Sequence, residues 1–278
     1  MAAKARLGRI QYLNVLPIYY ALENLFGENG FELVSGTPAD LNTALSRGRV
    51  DLGSISAMEY GRRCRGYFLL PDLSISSRGA VGSVLLFSRV PPAELDGRPL
   101  LVSAHSASGA ALLKVLMTEL YGVKPLYRQG PVVEALTSAY EGVLAIGDEA
   151  LQLQPRGNWP HQLDLGAAWQ EWIGLPFVFG VWAVRRDYAA IYPEKTRALH
   201  YLLLRSRDWG LKALPELSRL AAANLGRPAP ELLSYFQHLD YSLGPEHEQG
   251  LLTFFKHLHN LGELAEVPEL TYFEKKNG

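Results

Sequence analysis

Polar side chains that could bind an anion follow several short apolar runs of the sequence. These runs predict strands at residues 7–13, 50–55, 100–103 and 143–146. The polar residues at or just beyond these strand ends, or inside the apolar run at residues 81–87, are Asn14, Ser56, Ser83, Ser106, Ser108 and Asp148. Ligands of open α/β sheets bind beyond the carboxyl ends of the strands, so this shared placement predicts one small-molecule site.

The segment with Ser106 and Ser108 opens a helix predicted to reach about residue 121. A helix N-terminus offers backbone N–H groups and the positive end of the helix dipole, which together suit a carboxylate. Asn14, Ser106 and Asp148 could each serve only as a helix cap, and that alternative stays open for any one of them. Their common position at strand ends favours a site for an anionic small molecule.

The motifs of several other chemistries are absent from the sequence. It contains no G-x-x-x-x-G-K-[ST] loop, no G-x-G-x-x-G after a strand and no G-x-S-x-G elbow. His257 and His259 lie two residues apart on a predicted helix and therefore point to different faces, which does not suit a metal pair. Cys64 lies among arginines, but no motif pairs it with a base. We therefore expect neither a cofactor nor a metal.

Composition narrows the class of protein. The 278 residues are 48% hydrophobic and 20% charged, with a formal net charge of −1 and a single cysteine. This excludes a disordered chain, an internal disulfide and a dedicated nucleic-acid-binding protein, which would carry a basic excess. No apolar run has the length of a membrane span, and Gln11, Asn14 and Pro17 interrupt any signal-peptide core. We expect a cytoplasmic protein that binds neither nucleic acid nor membrane.

Strands and amphipathic helices alternate through the first two thirds of the chain, which predicts α/β sheets with parallel strands. Pro17 is expected in the first turn of a helix, and Thr37 with Asp40 at the capped start of the next one. From about residue 192 to 264 the pattern is helical, with one of its breaks expected at Gly210.

Several motifs, in order along the chain, resemble a known family. They are residues 8–14 (GRIQYLN), 36–38 (GTP), 55–60 (ISAMEY), 70–75 (LPDLSI), 81–88 (VGSVLLFS), 146–151 (IGDEAL) and 175–179 (LPFVF). Together they span residues 8 to about 185 and resemble the chorismate dehydratases of the futalosine route to menaquinone. Several motifs in the same order are far more specific than any one of them.

The resemblance implies a type II periplasmic-binding-protein-like fold, in which two α/β lobes close over a ligand in the cleft between them. Lobe I would then comprise residues 1–89 and 178–278, including extra C-terminal helices, and lobe II residues 90–177. The chain would cross between the lobes near residues 88–92 and again near residues 175–180.

The resemblance also implies the reaction, which is loss of water from chorismate to give 3-[(1-carboxyvinyl)oxy]benzoate without cofactor or metal. Asn14 and Ser83 match the residues that the family places at the reacting centre, where they would orient the substrate and relay protons. An amide and an unactivated hydroxyl are poor bases near pH 7. The base is therefore expected to be the enolpyruvyl carboxylate of the substrate itself.

The remaining residues of the implied site would bind substrate. Ser106 and Ser108, with their backbone N–H groups, are expected to hold one carboxylate. The family often has threonine where Ala107 stands, so one hydroxyl is missing from this contact. Ser56 and Asp148 are expected to add further contacts in the cleft.

Other classes stay open at this point. The related 1,4-dihydroxy-6-naphthoate synthase has a histidine in an Ile-His-Glu segment, whereas residues 146–149 read IGDE, which favours the dehydratase. A non-catalytic binding protein for a small anionic solute would share the fold. A transcription-regulator sensor lobe would follow a helix-turn-helix, but this chain starts on a predicted strand. The helix at residues 196–209 could supply a homodimer interface, although its leucines suit the core better.

Overall fold

The computed structural model describes residues 4–26, 30–136, 139–154, 157 and 159–274. Its strands are β1 (Ala5–Ile10), β2 (Phe31–Gly36), β3 (Leu52–Ser56), β4 (Tyr67–Ser77), β5 (Val84–Ser88), β6 (Pro99–Ser103), β7 (Leu126–Gly130), β8 (Gly142–Ile146), β9 (His161–Asp164), β10 (Phe177–Arg185) and β11 (Leu239–Asp240). Its helices are α1 (Leu16–Asn24), α2 (Pro38–Ser46), α3 (Ala57–Arg63), α4 (Ser108–Val115), α5 (Gly147–Leu153), α6 (Leu165–Ile173), α7 (Arg186–Ile191), α8 (Pro193–Lys212), α9 (Leu214–Leu225), α10 (Ala229–His238) and α11 (Pro245–Asn260). The alternation of strands and helices confirms the α/β class.

The strands form two sheets. The first sheet has the order β11-β4-β10-β3-β1-β2, and the second has the order β7-β6-β8-β5-β9. Parallel pairs occur in both sheets, but β10 runs antiparallel to β3 and β4, and β5 runs antiparallel to β8 and β9. Each sheet is therefore mixed rather than purely parallel. The larger apolar core cluster includes residues of both sheets and of the helices between them, so one continuous core connects the two parts of the molecule.

The first crossing between the sheets differs from the sequence-based expectation. Residues 81–87 were expected to end lobe I, with the boundary at residue 89, yet β5 pairs residue by residue with β8, from Val84 opposite Ile146 to Ser88 opposite Gly142. The chain therefore crosses between Ser77 and Val84, and the boundary at residue 89 is wrong by one strand. An apolar strand carries no local signal for the sheet it joins, because its pairing partners lie about sixty residues away.

Local signals in the sequence set the first two helices. Pro17 lies in the first turn of α1, as expected. At the start of α2 the Asp40 backbone N–H donates to Thr37 Oγ1 over 3.2 Å, and the Thr37 backbone N–H donates to Asp40 Oδ2 over 3.1 Å. This reciprocal capping box confirms the predicted start of α2.

The C-terminal helices pack on the first sheet, and β11 joins its edge beside β4. Gly210 does not break a helix but lies inside α8, where a Cβ atom would overlap the carbonyl oxygen of Pro17. Because Gly210 has no side chain, α8 can approach α1 closely. Leu199 and Leu203 are buried, which confirms that they belong to the core. Among the residues that the structure describes, no helix is long and apolar enough to cross a membrane.

Candidate functional site

A cleft lies between the two sheets, where strand ends and helix starts of both layers face each other. Its empty volume is about 600 Å³, part of which is open to solvent. Six residues that the sequence predicts at the site line this cleft. They are Asn14, Ser56, Ser83, Ser106, Ala107 and Ser108. Residues separated by as many as 94 positions in the chain therefore meet in one place.

Ser83 lies at the crossing between the sheets, immediately before β5, and is only 2% exposed. Its hydroxyl oxygen accepts a hydrogen bond from the Tyr235 hydroxyl over 3.1 Å. Its carbonyl oxygen accepts from the Gly147 backbone N–H over 2.7 Å. These two contacts, one from α10 and one from the start of α5, fix both the backbone and the side chain of Ser83.

Asn14 lies in a 3₁₀ turn, Leu13–Val15, that connects β1 to α1. Its side-chain oxygen Oδ1 is buried and has no hydrogen-bond partner among the described residues. A buried acceptor without a partner is costly, so this oxygen is available to a hydrogen-bond donor on a ligand. The carbonyl oxygen of Asn14 accepts from the Tyr241 hydroxyl over 2.6 Å, which holds the turn in place.

The hydroxyl groups at the starts of α3 and α4 already accept hydrogen bonds from backbone N–H groups. Ser106 Oγ accepts from Ala110 over 3.1 Å, and Ser108 Oγ accepts from Met58, across the cleft, over 3.1 Å. Ser56 Oγ accepts from the Glu59 backbone N–H over 3.0 Å. These hydrogen bonds satisfy backbone N–H groups at the starts of α3 and α4. They do not compete with ligand binding, because each hydroxyl that accepts keeps its own hydrogen to donate.

Asp148 follows Gly147 of the cleft wall, and its expected contact with substrate stays a prediction. Its Oδ1 accepts a hydrogen bond from the Leu13 backbone N–H over 3.2 Å. Burial raises the pKa of this carboxyl. Asp148 thus ties the turn that carries Asn14 to the start of α5.

Four residues of the site were missed from the sequence. Tyr235 and Tyr241 hold the candidate residues from 152 and 227 positions away along the chain, and no sequence pattern reports such pairs. Tyr12 and His105 line the cleft itself. The Tyr12 hydroxyl is buried without a partner among the described residues, and burial raises its pKa. Of these four residues, only Tyr12 had a signal in the sequence, because it lies two residues before Asn14.

The polar character of the cleft comes from hydrogen-bond donors rather than from a cluster of cations. Among the described residues of the cleft wall, His105 has the only side chain that can carry a positive charge. An anion bound here would be held mainly by hydroxyl and backbone N–H groups, together with the dipole of α4.

Sequence comparison identifies the relatives of this chain. A family model described as "Menaquinone biosynthesis" matches residues 5–260. The chorismate dehydratase of Thermus thermophilus is 35% identical over 263 residues, which is 89% of this chain and 93% of that protein. The chorismate dehydratase of Campylobacter jejuni is 31% identical over 219 residues, or 74% of this chain and 83% of that protein.

Comparison with solved structures gives the fold. The periplasmic aliphatic sulphonate binding protein of Escherichia coli superposes with a TM-score of 0.68, at 14% identity, covering 97% of this chain and 96% of that chain. The alkanesulfonate-binding protein of Xanthomonas axonopodis pv. citri bound to MOPS gives 0.69, at 16% identity, covering 98% and 96% of the two chains. At this identity the likeness concerns the fold alone, and it confirms a periplasmic-binding-protein-like architecture.

Proposed function

The chain belongs to the menaquinone biosynthesis family that includes these chorismate dehydratases, and we propose that it removes water from chorismate to give 3-[(1-carboxyvinyl)oxy]benzoate. It is a carbon–oxygen lyase in this proposal. The observation that supports it best is the meeting of Asn14, Ser83 and the hydroxyl-rich start of α4 in one cleft between the two sheets.

The chemistry of chorismate suits a cleft of this kind. The hydrogen on ring carbon C3 is vinylogous to the ring carboxylate, so its removal forms an anion that extends onto that carboxylate. The C4–O bond then breaks, hydroxide leaves, and the ring becomes aromatic. The proton taken from C3 and the departing hydroxide together make one water molecule. Aromatisation drives the reaction.

The protein has two tasks in this mechanism. It must hold one conformer of a dianion, and it must stabilise the charge that develops on the ring carboxylate. Ser106 and Ser108, with the backbone at the start of α4, are placed to hold a carboxylate. Because Ala107 lacks a hydroxyl, this contact has one donor fewer than the threonine implied by the resemblance would supply.

Asn14 and Ser83 are assigned to the reacting end of the substrate. The unpartnered Oδ1 of Asn14 is suited to accept a hydrogen bond from the substrate and so to orient it. Neither side chain is a good base near neutral pH. The base in this proposal is the enolpyruvyl carboxylate of chorismate, which takes the C3 proton.

Incubation of the protein with chorismate tests the proposal. We expect chorismate absorbance to fall and the enolpyruvyl benzoate to accumulate, as identified by mass spectrometry, with an Asn14→Ala variant as the matched control. If chorismate raises the melting temperature but is recovered intact, the chain is a non-catalytic binding protein instead. No binding and no turnover would remove chorismate as the substrate and return the naphthoate synthase to consideration.

Two further expectations belong to this proposal. A doubly charged substrate crosses membranes poorly, so the enzyme should act in the compartment where chorismate is made, which we take to be the cytoplasm. The homodimer interface at residues 196–209 stays a prediction, which sedimentation analysis of the purified protein would check.

A further inference from the structure

The C-terminal part of the chain contacts Ser83 and Asn14, the two residues assigned to the reacting end of the substrate. Tyr235, on α10, donates to Ser83 Oγ over 3.1 Å, and Tyr241, directly after β11, donates to the Asn14 carbonyl oxygen over 2.6 Å. Both tyrosines are buried, with exposures of 5% and 1%. The segment from α10 to Tyr241 therefore positions the two side chains that the proposed mechanism uses.

The direction of the Tyr235–Ser83 hydrogen bond follows from counting donors and acceptors. A buried phenol must donate its hydrogen to some acceptor, because an unsatisfied O–H group in the core is costly. Ser83 Oγ is the acceptor that the described residues offer to Tyr235. Ser83 thus accepts from Tyr235, and its own hydroxyl hydrogen is left for another partner. The cleft, which Ser83 lines, is where that partner can bind.

We propose that Tyr235 is a positioning residue that fixes Ser83 as a hydrogen-bond donor to the hydroxyl group leaving C4 of the substrate. This inference rests on the proposed function. It assigns Ser83 to the leaving group rather than to the C3 proton. A donor aimed at the departing oxygen stabilises the negative charge that gathers there as the C4–O bond breaks.

The same geometry excludes two other roles. Ser83 is a poor base, because an oxygen that already accepts a hydrogen bond has less tendency to take a proton. Tyr235 is a poor proton source, because burial raises the pKa of its phenol. The pair therefore stabilises charge without transferring a proton. The water formed takes its second hydrogen from the substrate carboxylate that received the C3 proton.

Tyr235→Phe isolates the contact. The ring of Tyr235 packs beside Gly82, at a distance of ordinary van der Waals contact from the position a Cβ atom would occupy there. Phenylalanine keeps this packing and removes only the O–H group. We expect kcat for chorismate to fall about 10- to 100-fold, with KM within about twofold of the wild-type value, because Ser83 loses its fixed orientation while substrate contacts stay.

A double-mutant cycle separates positioning from a general structural effect. In a Ser83→Ala background Tyr235→Phe has no hydroxyl left to orient, so the double variant should have the kcat of Ser83→Ala within about twofold. Tyr60→Phe is the matched control. The buried Tyr60 hydroxyl donates to the Glu269 carbonyl oxygen over 2.9 Å, outside the cleft, so this variant should lose thermal stability but keep kcat. Melting temperatures show that every variant is folded under the assay conditions.

Three results would overturn the inference. One is a wild-type kcat in Tyr235→Phe together with a low kcat in Ser83→Ala. Another is an equal loss from Tyr235→Phe with and without Ser83. The third is a change in KM alone. If the wild-type protein does not convert chorismate at all, the proposed function itself fails, and this inference fails with it.

Discussion

The two ends of the cleft are built in different ways. At the proposed reacting end, Ser83 and Asn14 are held by tyrosines 152 and 227 positions away in the sequence. At the proposed carboxylate end, Ser106 is held by Ala110, four positions away in the same helix, and Ser108 is held by Met58, 50 positions away across the cleft. The reacting end therefore needs the C-terminal part of the chain, whereas the contacts of the carboxylate end span at most 50 positions.

This difference has consequences for function. Each contact at the reacting end is made by one group with one partner, so its loss should affect the chemical step. The carboxylate end has several donors of the same kind, so the loss of one should weaken binding and leave turnover nearly intact. Substitutions at the two ends should therefore separate into effects on kcat and effects on KM.

The largest effect is expected from Asn14→Ala. The variant loses the buried Oδ1 acceptor, and kcat for chorismate should fall about 100-fold while KM changes by less than about threefold. The contact from Tyr241 goes to the backbone carbonyl of residue 14, so the variant retains it and the turn should stay in place. Steady-state kinetics with unchanged melting temperature would support the assignment, and near-normal turnover would discard it.

The next effect belongs to the carboxylate end. Ser108→Ala removes a donor to a charged group and should raise KM about tenfold with kcat within about twofold. Ser88→Ala is a matched control, since Ser88 is a buried serine whose hydroxyl donates to the Val90 carbonyl oxygen over 2.7 Å at the far end of β5. That variant should lose stability without a change in KM. A fall in kcat for Ser108→Ala would contradict the assignment of kcat effects to the reacting end and KM effects to the carboxylate end.

The same division explains which features the sequence could predict. The capping box of Thr37 with Asp40 and the helix start at Ser106 are set by residues three or four positions apart, and local patterns report them. The sheet that β5 joins depends on pairing with residues 142–146 and 161–164, so the first crossing was misplaced. The orientation of Asp148 depends on Leu13, 135 positions away. Partners at such separations leave no periodic signal.

One substitution at the carboxylate end is expected to raise the affinity for chorismate. Ala107 lines the cleft at the N-cap position of α4 and has no side-chain hydrogen bond. Ala107→Thr should lower KM about threefold, because it adds one hydroxyl donor to the carboxylate end. Ala107→Val has nearly the same shape without the hydroxyl and should not lower KM. Equal KM values in the two variants would show that the hydroxyl makes no contact with substrate.

The smallest effect concerns Asp148, which ties the turn of Asn14 to the start of α5. Burial raises the pKa of Asp148, so the folded state favours the protonated carboxyl. Wild-type stability should therefore decrease as pH rises from the ordinary aspartate pKa through the raised value of the folded state. Asp148→Asn has no charge to bury and should melt a few degrees higher than wild type at pH 7. The difference should vanish in acid, where Asp148 is protonated in both the folded and the unfolded states.

Comparing Asp148→Asn with Asp148→Ala separates the effect of the charge from the effect of the hydrogen bond. Asparagine keeps an oxygen that can accept the hydrogen bond from the Leu13 backbone N–H, whereas Asp148→Ala loses the acceptor and should melt below Asp148→Asn at every pH. Thermal melting of the three proteins between about pH 2.5 and 8 checks both expectations. If Asp148→Asn melted below wild type at pH 7, the ionised carboxylate would itself be holding the turn of Asn14. The reacting end would then depend on a charge as well as on its two tyrosines.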